Sequence, residues 1–192
     1  MKLNDARAFL IAAGICSISI LAADTKEETM QHLLDFEKAE AGPKWFSVDD
    51  GVMGGISKGL VDINHGSLHF RGDLSLENNG GFSSIRTSGD YDFSGKKTII
   101  LRVKGDGRTY QLRLATDARY RGSAVSYGTE FATETAKWIE VKIPIEALSP
   151  SWRGRMLDGP ALDLSNVEEI GILIGDKKAG AFSLEIDWVA VE

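Results

Sequence analysis

Hydrophobic and polar residues alternate one by one along much of the chain from residue 33 onward. A period of two is typical of antiparallel strands that bury one face and expose the other. The alternation is clearest at 68–71, 99–104, 110–114, 139–143 and 182–187, while the segment 170–174 is apolar throughout and suits a central strand. Short turn segments separate these strands. The pattern predicts an all-β fold, an antiparallel β-sandwich of jelly-roll type.

The first 23 residues have a different character from the rest of the chain. Two basic residues precede an uncharged stretch at 8–23 that ends in small residues, a pattern typical of a secretory signal peptide. The stretch is shorter than the ~20 apolar residues of a membrane-spanning helix, so a retained anchor is the weaker interpretation. The sequence therefore predicts a signal peptide at 1–23, a polar segment at 24–35 and a single β-sandwich domain at 36–192. It predicts a protein exported to the periplasm.

Composition and charge exclude several classes of function. The formal net charge is −6 and charges of both signs are interspersed, which argues against a nucleic-acid partner, because phosphate backbones attract dense positive charge. Cys16 is the only cysteine and lies in the predicted signal peptide, so the mature chain has no thiolate for catalysis or metal binding. The three histidines are too scattered for a zinc site. No glycine-rich segment has the spacing of a nucleotide-binding loop.

Three glycine-rich segments contain most of the candidate functional residues. Glycine tolerates positive φ and a close backbone approach, so these segments predict tight structural loops. The loop glycines are Gly51, Gly54, Gly55, Gly80, Gly81, Gly105 and Gly107. Asp49 and Asp50 begin the first loop and Arg86 follows the second, so we expect these three side chains to meet on one surface. Their carboxylates would either bind a ligand or form an ion pair with Arg86 that holds the loop.

Arginines and aromatic residues give further candidates for ligand or partner binding. Arg108, in the third glycine-rich segment, would line an anionic or glycan-binding face together with Arg86. Trp152 and Arg153 lie in the longest irregular segment, 144–166, where an exposed indole ring would offer a flat apolar face to a sugar. Two other tryptophans, Trp45 and Trp138, open predicted strands and are expected in the core.

Several separated blocks of sequence together resemble one protein family. They are Trp45 with VDDGVMGGIS at 48–57, NGGFSSIR at 79–86, LRVKGDGRTY at 101–110, RGR at 153–155, ILIGDK at 172–177 and GAFSLEID at 180–187. In this order they resemble the complex I intermediate-associated protein 30 family over roughly 36–191, nearly the whole predicted mature chain. The resemblance implies a galactose-binding-like jelly roll, similar to family 11 carbohydrate-binding modules. It also implies chaperone-like or assembly-factor work on respiratory complex I, without catalysis.

The similarity to these sandwich modules also implies one candidate metal site. Related modules often bind a structural calcium ion where the first and last strands meet, and calcium requires hard oxygen ligands. Glu37 and Asp187 resemble that arrangement and are the candidate ligands. No other cofactor is expected.

Three functions are compatible with these residues. The sequence favours a non-catalytic, exported binding module that acts as an assembly or accessory factor on a protein partner and reaches membranes only through that partner. A carbohydrate-binding module that recognises a glycan is the first alternative. An acid/base enzyme that uses Asp49 or Asp50 is the second. Neither a nucleic acid nor a nucleotide is expected as a partner.

Overall fold

The structure is a computed structural model that describes residues 29–37 and 44–192, so the predicted signal peptide at 1–23 lies outside the described residues. Its strands are β1 (Gln31–Asp35), β2 (Trp45–Asp49), β3 (Lys58–Asn64), β4 (Ser67–Leu74), β5 (Ser83–Tyr91), β6 (Thr98–Lys104), β7 (Thr109–Tyr120), β8 (Ser123–Ala132), β9 (Trp138–Pro144), β10 (Ser149–Trp152), β11 (Arg155–Met156), β12 (Val167–Ile174) and β13 (Gly180–Val191). Short 3₁₀ turns occur at Asp50–Met53, Glu77–Asn79 and Ile145–Ala147. In this part of the chain, no helix has the length and apolar character needed to cross a lipid bilayer.

The strands form two antiparallel sheets. The six-stranded sheet has the order β3-β4-β13-β6-β9, with β1 also paired to β13. The seven-stranded sheet has the order β11-β10-β8-β7-β12-β5-β2. β13 is the centre of the first sheet, because its first half pairs with β4, its second half pairs with β1, and its other edge pairs with β6. The predicted antiparallel β-sandwich is confirmed.

Inward-facing side chains of both sheets form one hydrophobic core. On three neighbouring strands of the seven-stranded sheet, Ile85, Ile172 and Leu112 lie directly opposite one another, and each is at most 1% exposed. Phe70 and Leu184 face them from the six-stranded sheet and are also fully buried. Burial of a side chain of this size contributes roughly 1.5–3 kcal/mol, so packing between the sheets holds the domain together.

Two tryptophans that were both expected in the core have different environments. Trp45 packs against the core as predicted. Trp138 is 36% exposed, so its predicted burial is wrong. The Trp138 ring lies on the surface beside two cations, with its centroid 5.8 Å from the Arg102 guanidinium carbon and 5.5 Å from the Lys104 ammonium nitrogen.

Two segments that lack a strand pattern in the sequence nevertheless contain strands. The segment 144–166, predicted to be irregular, includes β10 and β11, which extend the seven-stranded sheet beyond β8. Within the predicted polar segment 24–35, β1 pairs with β13. Both additions are short strands at the periphery, where pairing to an existing edge decides the conformation more than local propensity does.

Candidate functional site

The first glycine-rich loop connects the two sheets. It begins after β2, an edge strand of the seven-stranded sheet, and leads into β3, an edge strand of the six-stranded sheet. Asp49, the last residue of β2, lies between the sheets, where its carboxylate accepts a hydrogen bond from the Gly59 N–H at 3.1 Å and from the Ser83 hydroxyl at 2.6 Å. Asp49 therefore ties β3 of one sheet to β5 of the other.

The fully buried side chain of Asp50 anchors the loop from beneath. Its Oδ1 accepts a hydrogen bond from the Ser57 N–H at 2.9 Å. Its Oδ2 accepts three more, from the Ser57 hydroxyl at 2.5 Å and from the N–H groups of Gly81 at 2.6 Å and Phe82 at 3.3 Å. The Asp50 N–H in turn donates to the Phe82 carbonyl at 3.2 Å. One carboxylate therefore fixes both the first and the second glycine-rich segment.

The pKa of the Asp50 carboxyl is set by two opposing effects. Burial raises this pKa, because it disfavours the charged form. Hydrogen bonds from Ser57, Gly81 and Phe82 lower it by more, so the pKa lies below the ordinary value of 3.8. Asp50 is therefore a charged acceptor at neutral pH. A carboxyl that serves as a general acid or base near neutrality needs a raised pKa and access to a substrate, and Asp50 has neither.

Glycine is required around the Asp50 carboxylate because the backbone approaches it closely. A Cβ on Gly55 would lie 2.3 Å from the Asp50 Cγ, and one on Gly80 would lie 2.6 Å from Oδ2. Gly81, which donates to the same oxygen, has a φ of +126°, where side chains of L-residues are strained. The remaining loop glycines have positive φ (Gly54, Gly107), a close approach to Thr133 (Gly105) or open space (Gly51).

Above this anchored backbone, the loop exposes four large apolar side chains. Val52 is 75% exposed, Met53 61%, Ile56 50%, and Leu76 of the adjoining turn 45%. Leu76 adjoins the anchored backbone, because its Cδ2 would lie 3.1 Å from a Cβ on Gly81, whose N–H donates to the Asp50 carboxylate. We refer to these four residues as the apolar loop surface.

Arg86 is not paired with the two aspartates. It lies opposite Phe46 on β2, and its guanidinium forms an ion pair with Glu169 on β12 at 3.5 Å. Of the described residues, none forms an ion pair with Asp50, whose carboxylate is satisfied by neutral donors. The predicted ion pair between Arg86 and the aspartates is therefore replaced by hydrogen bonds from backbone N–H groups and serine hydroxyl groups, which a search for opposite charges in the sequence does not detect.

Arg86 instead belongs to a row on the outer face of the seven-stranded sheet. Cross-strand pairing places Arg86, Gly171, Arg113 and Gly128 side by side on β5, β12, β7 and β8. Glu169 lies on the same face, two residues before Gly171. Burial and the charge of Arg86 both lower the pKa of Arg113, whereas burial raises the pKa of Glu169 in spite of the two arginines. The sequence marks Arg113 only as an outward residue, because strand order alone brings it near Arg86.

Arg108 stabilises the turn between β12 and β13. Its Nε and Nη2 donate to the Asp176 carboxylate at 3.1 and 2.6 Å. Its Nη1 donates to the carbonyl groups of Gly180 and Ala181 at 3.1 and 2.9 Å, and its Nη2 contacts the Lys178 carbonyl. The hydrogen bonds to Arg108 lower the pKa of the Asp176 carboxyl. With its donors occupied in this way, Arg108 supports the fold and has little capacity left for a ligand.

Trp152 and Arg153 lie at the end of β10, in a cluster of rings and cations. The Trp152 ring meets Tyr120 edge-on, with ring centroids 5.4 Å apart. The guanidinium carbons of Arg153 and Arg121 lie 5.0 and 5.9 Å from the Trp152 ring centroid. The indole N–H is buried and has no hydrogen-bond partner among the described residues. Arginine side chains therefore occupy much of the ring surface that would stack on a sugar.

The candidate calcium ligands lie where β1 meets β13, as the sequence predicts for their strands. The Phe36 N–H donates to the Asp187 carbonyl at 3.2 Å, which brings the two segments together. The Asp187 carboxylate, however, pairs with the Arg102 Nε at 2.9 Å. Within residues 29–37 and 44–192, no group of three or more His, Cys, Asp or Glu side chains is placed to hold a metal ion. The geometry therefore gives the calcium site with Glu37 no support.

Comparison with known proteins links this chain to one family. The family model described as "Complex I intermediate-associated protein 30 (CIA30)" matches residues 34–186. A mouse protein named "Complex I intermediate-associated protein 30, mitochondrial" is 32% identical over 180 residues, which cover 81% of this chain and 54% of the mouse protein. The protein of the same name from Drosophila melanogaster is 26% identical over 183 residues, covering 83% of this chain and 62% of the fly protein. The chain thus spans about half to three-fifths of the length of these relatives.

Several carbohydrate-binding modules are among the solved structures that resemble this fold. The family 11 module of the cellulosomal cellulase Lic26A-Cel5E of Clostridium thermocellum superposes with a TM-score of 0.63 at 17% identity, covering 85% of this chain and 94% of the module. A family 30 module of a C. thermocellum cellulase superposes with a TM-score of 0.53 at 16% identity, covering 78% of this chain and 91% of the module. At such low identity the likeness shows the fold alone, a galactose-binding-like jelly roll.

The same comparisons correct the predicted location. Both the mouse and the fly relatives are named mitochondrial proteins. The sequence-based prediction of export to the periplasm is therefore wrong. The segment on which it rested, residues 1–23, is outside the described residues.

Proposed function

The chain belongs to the complex I intermediate-associated protein 30 family, and we propose that it is a non-catalytic assembly or accessory factor for respiratory complex I. The names of its mouse and fly relatives support this role. The chain covers 54% of the length of the mouse protein and 62% of that of the fly protein. The same names support a mitochondrial place of action. We further propose that the protein binds a protein partner through the apolar loop surface.

The exposure of the apolar loop surface carries this proposal. Leaving large apolar side chains in water forgoes roughly 25 cal/mol for every Å² that burial would remove from solvent. Val52 and Met53 are 75% and 61% exposed on a loop whose backbone is fixed by the buried Asp50. An anchored loop loses little conformational entropy on binding, and this preorganisation favours affinity. An apolar, uncharged surface of this kind fits an apolar segment of a protein better than it fits a polar glycan.

Capture of complex I subunits from a detergent-solubilised mitochondrial extract tests the proposal. We expect tagged wild-type protein to retain complex I subunits or assembly intermediates, and Met53→Ser combined with Ile56→Ser to lose them. Met156→Ser is a matched control, because Met156 is 63% exposed, much like Met53 at 61%, but lies on β11 at the opposite edge of the seven-stranded sheet from β2. Unchanged capture by the double variant would contradict the assignment of the loop. Absence of any complex I subunit with the wild-type protein would contradict the role itself.

Glycan binding is the second candidate function, supported by the fold and by the partly exposed Trp152 beside Tyr120. A related family 11 module was solved in complex with a β-1,3-1,4-mixed-linked tetrasaccharide. Titration of this tetrasaccharide with tryptophan fluorescence as the readout tests the candidate. A saturable change that disappears in Trp152→Ala would support glycan binding, whereas no change at millimolar sugar would contradict it.

The enzymatic alternative has the least support. Asp49 and Asp50 both use their carboxylates to hold neighbouring strands and loops. The pKa of Asp50 is lowered, which is the opposite of what a general acid at neutral pH requires. The non-catalytic role is therefore the one we propose.

A further inference from the structure

The outer face of the seven-stranded sheet carries a row in which arginines alternate with glycines. Arg86 on β5, Gly171 on β12, Arg113 on β7 and Gly128 on β8 are cross-strand neighbours. Neighbouring strands are about 4.8 Å apart, so the two arginine backbones are separated by roughly 10 Å with only a glycine between them. Nothing projects from Gly171 to keep the two guanidinium groups apart.

Each arginine side chain packs over one of the two glycines, Arg86 over Gly171 and Arg113 over Gly128. A Cβ on Gly171 would be 3.5 Å from the Arg86 Cγ, and a Cβ on Gly128 would be 3.4 Å from the Arg113 Cγ and 3.7 Å from its Nε. These are ordinary van der Waals distances, so the arginine chains pack flat over the glycine positions. The guanidinium groups are therefore held close to the sheet rather than extended into solvent.

The charges of this row are not balanced by the residues around it. The side chain that neutralises Arg86 is Glu169, at 3.5 Å, the longest of the ion pairs between described residues. The Arg113 Nε is buried and has no hydrogen-bond partner in the described part of the chain. Glu130, another acid on this face, accepts a hydrogen bond from Gln111. Two guanidinium groups thus face one partly buried carboxylate, and a buried donor without an acceptor is unfavourable.

We propose that Arg86 and Arg113 form a binding site for an oxyanion, a carboxylate or a phosphate, on the outer face of the seven-stranded sheet. Guanidinium groups present paired N–H donors whose geometry matches carboxylate and phosphate oxygens. The ligand contacts the guanidinium groups of both arginines, between the Arg86 stem that lies over Gly171 and the Arg113 stem that lies over Gly128. Glu169 limits the affinity, because it competes with the ligand for Arg86. This site is separate from the apolar loop surface and does not depend on the function proposed for that surface.

Isothermal titration of the full chain with two anionic probes tests the site: a hexaglutamate peptide as a source of carboxylates, and inorganic phosphate. At low ionic strength we expect saturable binding of at least one probe, weakened by added salt. Arg113→Gln should raise the Kd by about tenfold or more, since paired guanidinium–oxyanion bonds are among the stronger hydrogen bonds. Arg71→Gln is the matched control, because it makes the same change of charge at an arginine paired with Asp62 on the six-stranded sheet.

Two further variants separate ligand binding from a purely structural role. Glu169→Gln should lower the Kd for the anionic probe, because it removes the competing carboxylate; a structural Arg–Glu pair would not tighten binding when broken. Arg113→Lys should bind the probe more tightly than Arg113→Gln, because lysine keeps the positive charge, but less tightly than wild type, because it lacks the paired N–H donors of a guanidinium group. Thermal denaturation of each variant confirms that it is folded. The proposal is overturned if neither probe binds the wild-type protein at millimolar concentration, if Arg113→Gln binds as wild type, or if only a neutral tetrasaccharide binds this face.

Discussion

Replacement of Asp50 by asparagine is expected to lower the free energy of unfolding by about 3–5 kcal/mol, although the two side chains have nearly the same shape. The amide oxygen would replace Oδ2, which accepts three hydrogen bonds, and the amide NH₂ would then face the Ser57 N–H that Oδ1 accepts at 2.9 Å. One buried donor without an acceptor costs about 1–3 kcal/mol. The other three hydrogen bonds lose their charge assistance, which roughly halves their strength. Removal of a buried charge offsets part of this loss.

The dependence of stability on pH gives a second test at the same residue. The pKa of Asp50 in the folded protein lies below its ordinary value of 3.8. The unfolded chain therefore binds a proton at a higher pH than the folded protein does. The stabilisation by Asp50 is fully present above pH 3.8 and is lost as the pH falls through the lower folded pKa. The difference between wild type and Asp50→Asn should consequently narrow as the pH falls below 3.8.

Urea denaturation at pH 7 and at several lower pH values measures both effects. Asp62→Asn is a suitable control, because Asp62 forms its ion pair with Arg71 on an exposed surface, where such pairs contribute about 0–1 kcal/mol. A loss below about 1 kcal/mol for Asp50→Asn at pH 7 would refute the anchoring role. A difference between wild type and Asp50→Asn that does not change between pH 7 and pH 3 would refute the assignment of the charged carboxylate.

Three further substitutions test other parts of the structure by the shift in urea midpoint. Gly81→Val should destabilise the fold by roughly 1–3 kcal/mol, because a β-branched residue resists a φ of +126°; an unchanged midpoint would show that this conformation is not required. Arg108→Met should cost about 3–5 kcal/mol, because it leaves the Asp176 carboxylate, 6% exposed, without its counter-charge; a loss within 1 kcal/mol would mean that water replaces the guanidinium. Trp138→Ala should cost about 1–3 kcal/mol, less than the roughly 3–5 kcal/mol of a core Trp→Ala change, since the residue is 36% exposed, and a loss above that range would restore the core assignment.

The fold could be predicted from the sequence because one physical signal repeats along the chain. Alternation such as that of Leu68, His69, Phe70 and Arg71 follows directly from the pleat of a strand with one buried face. Trp138 was misplaced because the usual burial of tryptophan was given more weight than its position in the strand. Ile139, Val141 and Ile143 face the core, so alternation puts Trp138 on the outer face of β9, beside Arg102 and Lys104.

The candidate site was predictable only where its chemistry is local in sequence. The clustering of Asp50, Gly54 and Gly55 indicates a constrained acidic loop without knowledge of the fold. Ser57, seven residues on, supplies two of the four donors to that acid. The other two did not follow, because they are backbone N–H groups of a segment 31 and 32 residues away, and every residue except proline has such a group. The proximity of Arg86 and Arg113 could not be predicted from the sequence either, since it depends on the position of β12 between β5 and β7 in the sheet.

The position of β13 determines when this protein can fold. Gln31 pairs with Val191, and Leu74 pairs with Gly180. The strands β1, β4 and β6 therefore cannot complete their pairing until β13, which is synthesised long after them, is available. Pairings between residues so distant in sequence slow folding, because loop-closure entropy must be overcome before the contacts form. During synthesis, β3 and β4 together expose a hydrophobic face and an unpaired edge, both of which favour aggregation. A nascent chain released before residue 180 would lack the strand that joins the six-stranded sheet, and we expect it to be a substrate for chaperones or proteases rather than a partly active protein.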